Sequence, residues 1–109
     1  WILCVPTSDI MQVGCLLGEK TIINEFVAYG SLGQMKAANL FASEKSVIIA
    51  TYALCGFSNI ASIGIQIGGI GAMAPNKRAT LAKLGVRALL AGSIACFITA
   101  VLAGILSEF

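Results

Sequence analysis

The sequence predicts an all-α integral membrane protein, and three observations support this fold class. Of 109 residues, 58% are hydrophobic and only 11% are charged, whereas an ordinary soluble domain carries about 25% charged residues. The mean hydropathy is +0.92. Two long stretches contain no charged residue. Because small chains have a high surface-to-volume ratio, this one has too few polar side chains to cover its core in water, which excludes a free soluble enzyme and favours a lipid bilayer as solvent.

The two uncharged stretches predict two transmembrane segments. They run between Lys45 and Lys77 and between Arg87 and Glu108, and each is long enough for the roughly 20 helical residues that cross a bilayer. The turn signal Pro75-Asn76 separates them. Basic residues cluster after this turn, at Lys77, Arg78, Lys83 and Arg87. The positive-inside rule therefore predicts a cytoplasmic loop here, with the C-terminus of the chain outside.

The first third of the chain has a different pattern. Val5 to Gly18 and Phe26 to Met35 are apolar but too short to cross a bilayer singly, and Gly18 to Thr21 interrupts them. Short apolar segments of this kind are typical of a re-entrant helical hairpin. A single kinked span or a pair of surface helices is the alternative. We expect the polar segment Lys36 to Lys45 to form an external connector.

The first long apolar stretch is itself interrupted by polar residues. Ser58, Asn59 and Ser62 follow Gly56 in its middle. Polar groups at this depth are costly unless they are paired or line a cavity. We therefore expect an unwound turn that frees groups for binding. The small residues from Gly64 to Gly71 are interpreted as a helix-packing face.

Glu25 is the most informative residue, because apolar residues flank it on both sides. An acidic residue within a membrane segment is a functional-site hypothesis by default. If it is ionised, it can accept two hydrogen bonds from a sugar diol; if burial raises its pKa, it can carry a proton instead. The alternatives are an exposed interfacial glutamate and a glutamate neutralised by Lys20.

The composition excludes several other kinds of site. The chain has no histidine, and its four cysteines form no close pair, so we expect no metal site and interpret the cysteines as buried, reduced hydrophobic residues. A net charge of +2 gives no indication of a nucleic-acid partner.

Several ordered motifs closely resemble the concentrative nucleoside transporter family, and together they cover nearly the whole chain. They are Gly18-x-Lys20, Asn24–Tyr29, Ile49–Phe57 with Asn59, Ser62–Ile65, Arg87–Leu89 and Ala103–Leu106. The resemblance is to the C-terminal part of such transporters, which function as homotrimers with two inverted repeats.

The resemblance implies a particular arrangement of the chain. A second re-entrant hairpin is expected at residues 5–32 with its tip near Gly18 to Thr21. A broken transmembrane helix is expected at residues 44–73, interrupted at Phe57 to Ala61. A last transmembrane helix is expected at residues 79–106. The orientation known for the family agrees with the one that the charges predict.

The resemblance also implies site residues. Glu25 matches the hairpin glutamate that binds the nucleoside ribose, Asn59 and Ser62 match residues of the broken helix that hydrogen-bond the same sugar, and Phe57 matches an aromatic residue of the pocket. Ser58 and Ala61 depart from the common pattern beside the site without removing any of these ligands. The base-reading hairpin and the sodium site belong to the first repeat, so the coupling ion, Na⁺ or H⁺, is expected to bind mostly outside this segment.

The resulting expectation is a multi-pass protein of the cell membrane that is not an enzyme. It takes up nucleosides with sodium or protons by alternating access, and this segment supplies the ribose-binding half of the site. The alternative is a proton-conducting membrane subunit with Glu25 as its titrating carboxylate. A purely structural membrane segment leaves the cost of burying Glu25 unexplained.

Overall fold

The computed structural model describes residues 1–109 as an all-helical chain with no strand. Five α-helices follow one another: α1 (Ile10–Ile22), α2 (Glu25–Ala37), α3 (Glu44–Leu54), α4 (Ile60–Met73) and α5 (Arg78–Leu106). Short 3-10 helices, Thr7–Asp9 and Pro75–Lys77, precede α1 and α5. The chain is elongated, with principal extents of 50 × 25 × 18 Å.

Helices α1 and α2 form a helical hairpin that packs beside α3, and α5 packs along both α3 and α4. The core lies between the hairpin and α3, where Leu16, Ala28, Ile49 and Leu54 are fully buried. Ala100 contributes from α5 to the same core. Its small side chain lets α5 approach closely, and so does Gly104, where a Cβ atom would lie 2.7 Å from Ile49.

One helical segment, Pro75–Leu106, is long and apolar enough to cross a membrane, and α4 is a shorter apolar helix. The 29 residues of α5 correspond to a length of about 43 Å at 1.5 Å per residue. Most of the large apolar side chains of α5 are exposed. Such an apolar exterior is what a bilayer or further packed helices would cover.

Polar contacts join the start of the hairpin to the start of α3. Asp9 is almost fully buried, and its carboxylate accepts hydrogen bonds from the N–H groups of Ala42 (2.9 Å) and Ser43 (3.1 Å) and from the Ser46 hydroxyl. A helix N-terminus favours a negative charge, so Asp9 satisfies free donors at this end of α3. Lys45 forms an ion pair with Glu108, which joins the same end of α3 to the end of α5.

The turn of the hairpin lies at Ile23 and Asn24, not near Gly18 to Thr21 as the family resemblance implies. The helix α1 continues through Gly18 to Ile22, and the Ile23 N–H still donates to the Glu19 carbonyl (2.8 Å). The Thr21 hydroxyl donates to the Leu17 carbonyl (2.8 Å) within the same helix. Asn24 then begins α2, since its side chain accepts a hydrogen bond from the Val27 N–H. The capping residue, not the glycine, determines where the chain turns.

The helix break lies at residues 55–59, slightly before the expected Phe57 to Ala61, because the cap at Asn59 starts α4 at Ile60. The last helix begins at Arg78, within one residue of its expected start.

The prediction of buried cysteines is wrong for this chain: Cys4, Cys15 and Cys55 are exposed and Cys96 is partly buried. Cys15 lies in α1 and Cys96 in α5, whereas Cys4 precedes the first helix and Cys55 lies at the helix break, so apolar neighbours in the sequence do not imply burial within the chain.

Candidate functional site at the hairpin and the helix break

Asn59 begins α4 through a complete capping box. Its side-chain oxygen accepts a hydrogen bond from the Ser62 N–H (2.8 Å), and the Asn59 N–H donates to the Ser62 hydroxyl (3.2 Å). The same hydroxyl donates to the Asn59 carbonyl (2.6 Å). This reciprocal pairing satisfies helix-start groups that would otherwise be unpaired at the break. Asn59 is 1% exposed, so its amide is held in a fixed position.

The structure brings Glu25 together with Asn59, although 34 residues separate them along the chain. The Asn59 amide donates to the Glu25 carboxylate, with Nδ2 and Oε2 2.8 Å apart. Glu25 is partly buried, and it forms no ion pair with Lys20 within 4.0 Å. An ionised carboxylate has about four acceptor positions, and this bond uses one of them. Glu25 therefore keeps acceptor capacity for a ligand with hydroxyl groups.

Two helix N-termini meet at this carboxylate. Glu25 is the first residue of α2, after its cap Asn24, and it contacts the cap of α4. Each helix start carries about half a positive elementary charge. The Glu25 side chain therefore lies where the N-termini of α2 and α4 come together.

Ser62 and Phe57 occupy a different part of the site from Glu25. Ser62 is buried, and its hydroxyl takes part in the cap of α4. Phe57 lies in the helix break and is 55% exposed. Both line a groove of about 480 Å³ between α4 and α5, together with Ser58 and Gln66. Glu25 and Asn59 do not line this groove.

The other end of the break, at the C-terminus of α3, is closed by the two hairpin helices. The Lys20 ammonium of α1 donates to the Ala53 carbonyl (2.9 Å), and the Tyr29 hydroxyl of α2 donates to the Thr51 carbonyl (2.7 Å). The Cys55 N–H donates to the carbonyl of Tyr52 (3.2 Å). Three of the last four carbonyls of α3 thus have donors from outside the regular helix, as a helix end requires.

Sequence reasoning assigned no role to Lys20 and Tyr29 at the helix break. The available signal was indirect: a helix that breaks inside an apolar segment needs donors for its last carbonyls. Both residues belong to the motifs that carry the family resemblance, but which carbonyls they contact depends on how the hairpin packs against α3.

Gly56 is required at the break for two independent reasons. Its φ angle is +125°, and a Cβ atom would lie 2.5 Å from the Cys96 sulfur. A residue other than glycine in such a backbone conformation costs about 1–3 kcal/mol. We therefore expect Gly56→Ala to lower the melting temperature of the full-length protein by several degrees, as a thermal-shift assay in detergent would measure.

Two further variants separate the two causes. Adding Cys96→Ala to Gly56→Ala removes the steric contact but not the backbone strain, so the melting temperature should recover only in part. Gly68→Ala is the matched control, because nothing lies within 4 Å of its added Cβ. An unchanged melting temperature for Gly56→Ala would contradict the geometry of the break.

A helix interrupted within an apolar segment, with a helical hairpin against the break and polar groups gathered there, is typical of secondary transporters. The fold and the break are therefore those of a segment of a secondary membrane transporter.

Comparison with known proteins identifies the family. A family model described as "Na+ dependent nucleoside transporter C-terminus" matches residues 1–104. The chain therefore belongs to the concentrative nucleoside transporter family, as its motifs predict. This family consists of integral membrane transporters and not of enzymes.

Individual relatives agree with this assignment. Solute carrier family 28 member 3 of Homo sapiens is 47% identical over an alignment 116 residues long. The alignment covers 95% of this chain and 17% of that protein. Sodium/nucleoside cotransporter 2 of Rattus norvegicus is 44% identical, covering 94% of this chain and 17% of that protein. A structure of CNTnw in an inward-facing substrate-bound state matches with a TM-score of 0.94 and 39% identity, over 100% of this chain and 26% of that one. The chain thus spans a small part of the proteins that it resembles.

Proposed function

We propose that this chain supplies the ribose-binding half of the substrate site of a sodium-coupled nucleoside symporter. The observation that carries the proposal is the bond between Glu25 and Asn59 at the helix break, 2.8 Å long. A ribose diol presents two neighbouring hydroxyl donors that can also accept. A carboxylate supplies acceptors, and an amide supplies both donors and acceptors. These two side chains therefore match the diol chemically.

Ser62 and Phe57 complete the proposed site in different ways. The Ser62 hydroxyl takes part in the cap of α4, so its first role is to hold Asn59, while a free lone pair stays available to the sugar. Phe57 is exposed in the break and offers an apolar surface for the nucleoside. In this proposal Glu25 and Asn59 are the primary ribose ligands.

The proposed site forms part of a larger transport cycle and assembly. The hairpin of α1 and α2 is re-entrant, residues 44–73 form a broken membrane segment and residues 79–106 the last one. The basic residues from Lys77 to Arg87 lie at the cytoplasmic side, and three full-length copies form a homotrimer. Alternating access is supported by CNTnw, whose structures include inward-facing, intermediate and outward-facing states. Sodium is the proposed coupling ion, because relatives carry it in their names; it binds mostly outside this segment.

The test is uptake of radiolabelled uridine and adenosine by cells that express the full-length transporter, with and without a sodium gradient. We expect sodium-dependent uptake of at least one of them. Uptake that depends on a proton gradient instead would still indicate a nucleoside symporter, but with H⁺ and not Na⁺ as its coupling ion. The family assignment does not favour the alternative of a proton-conducting subunit. Only the absence of nucleoside uptake under every gradient would support that alternative.

Ribose recognition makes a separate prediction about substrate discrimination. A hydrogen bond to a charged group contributes about 1.5–3 kcal/mol, which corresponds to about a 10- to 150-fold change in affinity. We therefore expect 3′-deoxyuridine to be taken up about 10- to 150-fold less efficiently than uridine, measured as the ratio of Vmax to KM. Equal uptake of the two would count against Glu25 and Asn59 as ribose ligands.

A further inference from the structure

The hairpin places charges of opposite sign at the two ends of the helix break. Lys20, near the end of α1, donates to one carbonyl at the C-terminus of α3, that of Ala53, while Glu25, at the start of α2, accepts from the N-terminal cap of α4. A helix C-terminus carries partial negative charge and an N-terminus partial positive charge. The hairpin therefore fits the break with matched electrostatics, its cation on one helix end and its anion on the other.

Lys20 is buried to an unusual degree for a lysine. It is 2% exposed and has one hydrogen-bond partner, the Ala53 carbonyl at 2.9 Å. Burying an ammonium group is costly unless it is paired, and here the pairing groups are the free carbonyl end of a broken helix. If α3 continued into α4 as one helix, the Ala53 carbonyl would already accept a bond within the helix, and Lys20 would share that carbonyl instead of binding one at a helix end. The contact thus depends on the break.

Tyr29 holds the same helix end from the other side of the hairpin. Tyr29 lies one turn along α2 from Glu25. Its hydroxyl donates to the Thr51 carbonyl at 2.7 Å. Lys20 and Tyr29 lie on either side of the hairpin turn at residues 23–24. Two anchors on two helices fix both the distance and the rotation of the hairpin relative to α3, and these determine where the carboxylate of Glu25 meets Asn59.

We propose that Lys20, with Tyr29 as a second anchor, is a positioning residue that holds Glu25 opposite Asn59 by binding the broken end of α3. This inference rests on the proposed nucleoside site and adds to it residues that do not touch the substrate. The proposal has a specific consequence. Loss of the anchor should lower the discrimination between nucleosides with and without the 3′-hydroxyl, and not merely the amount of folded protein.

The test compares four variants of the full-length transporter in uptake assays corrected for the amount at the cell surface. Lys20→Met removes the ammonium at similar length, and Tyr29→Phe removes one hydroxyl. Lys36→Met and Tyr52→Phe are the matched controls, because their polar groups form no side-chain hydrogen bond and both residues are exposed. For each variant KM and Vmax are measured with uridine and 3′-deoxyuridine.

For Lys20→Met we expect KM for uridine to rise about tenfold, which corresponds to about 1.4 kcal/mol, and the discrimination against 3′-deoxyuridine to fall by a similar factor. Tyr29→Phe should shift both quantities in the same direction by a smaller factor, about two- to threefold. The two controls should leave both quantities at the wild-type values.

Other outcomes overturn the inference. If Lys20→Met lowers Vmax in proportion to surface amount while KM and discrimination stay unchanged, its role is structural only. If Lys20→Met does not reach the cell surface, the test rests on Tyr29→Phe. Unchanged discrimination against 3′-deoxyuridine in that variant refutes the positioning role. Wild-type protein without nucleoside uptake would instead refute the proposed function, so the two failures are distinguishable.

Discussion

Replacing Glu25 with glutamine is expected to lower sodium-dependent nucleoside uptake about 100-fold, measured as Vmax over KM for radiolabelled uridine. Glutamine has nearly the same shape, so the hairpin should retain its fold. It has no charge, and one of its two carboxylate oxygens is replaced by an amide donor. A hydrogen bond to a charged group contributes about 1.5–3 kcal/mol, and two sugar hydroxyls depend on this carboxylate in the proposed site.

The structure supplies a matched control for this change. Glu44 is also in the first turn of its helix, and it is exposed at the start of α3, far along that helix from the break. Glu44→Gln removes the same charge from a similar helix position, and uptake should stay near the wild-type level. Wild-type KM and Vmax in Glu25→Gln would refute the role of Glu25 as a binding carboxylate.

The stability of Glu25→Gln carries additional information. In the wild-type protein two helix N-termini and the Asn59 amide lie against the partly buried Glu25 side chain. Neutralising the residue removes both the cost of burial and these favourable contacts, so we expect the melting temperature to change little. A large loss of uptake with an unchanged melting temperature would then separate binding from folding.

The features of the site that follow from local chemistry could be predicted from the sequence. The helix break is encoded by Gly56, Asn59 and Ser62, because a glycine that permits positive φ and a helix-capping pair are local signals. Glu25 was recognisable because an acidic residue is costly in apolar surroundings. That Glu25 and Asn59 belong to one site followed only from the family resemblance, and the structure shows them in contact.

The features that depend on packing could not be predicted in the same way. The family resemblance implies a hairpin tip near Gly18 to Thr21, where a glycine and polar residues interrupt the apolar segments, but α1 continues through these residues to Ile22. Lys20 was considered as a counter-ion for Glu25. Its actual partner, the Ala53 carbonyl, is available only because the hairpin packs against the broken end of α3.

The second large effect is expected at Asn59, where aspartate is the most informative substitution. Aspartate caps helices as well as asparagine does, so α4 should still begin at Ile60. It cannot donate to Glu25, however, and it would place two carboxylates within hydrogen-bond distance, since the present bond is 2.8 Å long. Like charges in such a position cannot both ionise easily. We expect Asn59→Asp to reduce uridine uptake at neutral pH at least as strongly as Glu25→Gln, by about 100-fold.

Exchanging the two partners tests whether this loss arises from the pair itself. In the double variant Glu25→Gln with Asn59→Asp, one amide and one carboxylate face each other again with donor and acceptor reversed. Because the two facing carboxylates repel each other, we expect Asn59→Asp alone to lower the melting temperature and the double variant to return it toward the wild-type value. Uptake should recover only in part, because the carboxylate now lies on α4 and not on the hairpin. Asn39→Asp, the same change in an exposed loop, should affect neither quantity. If the double variant is no more stable than Asn59→Asp alone, the loss comes from the α4 cap or from the substrate contacts of Asn59, and the bond to Glu25 does not organise the site.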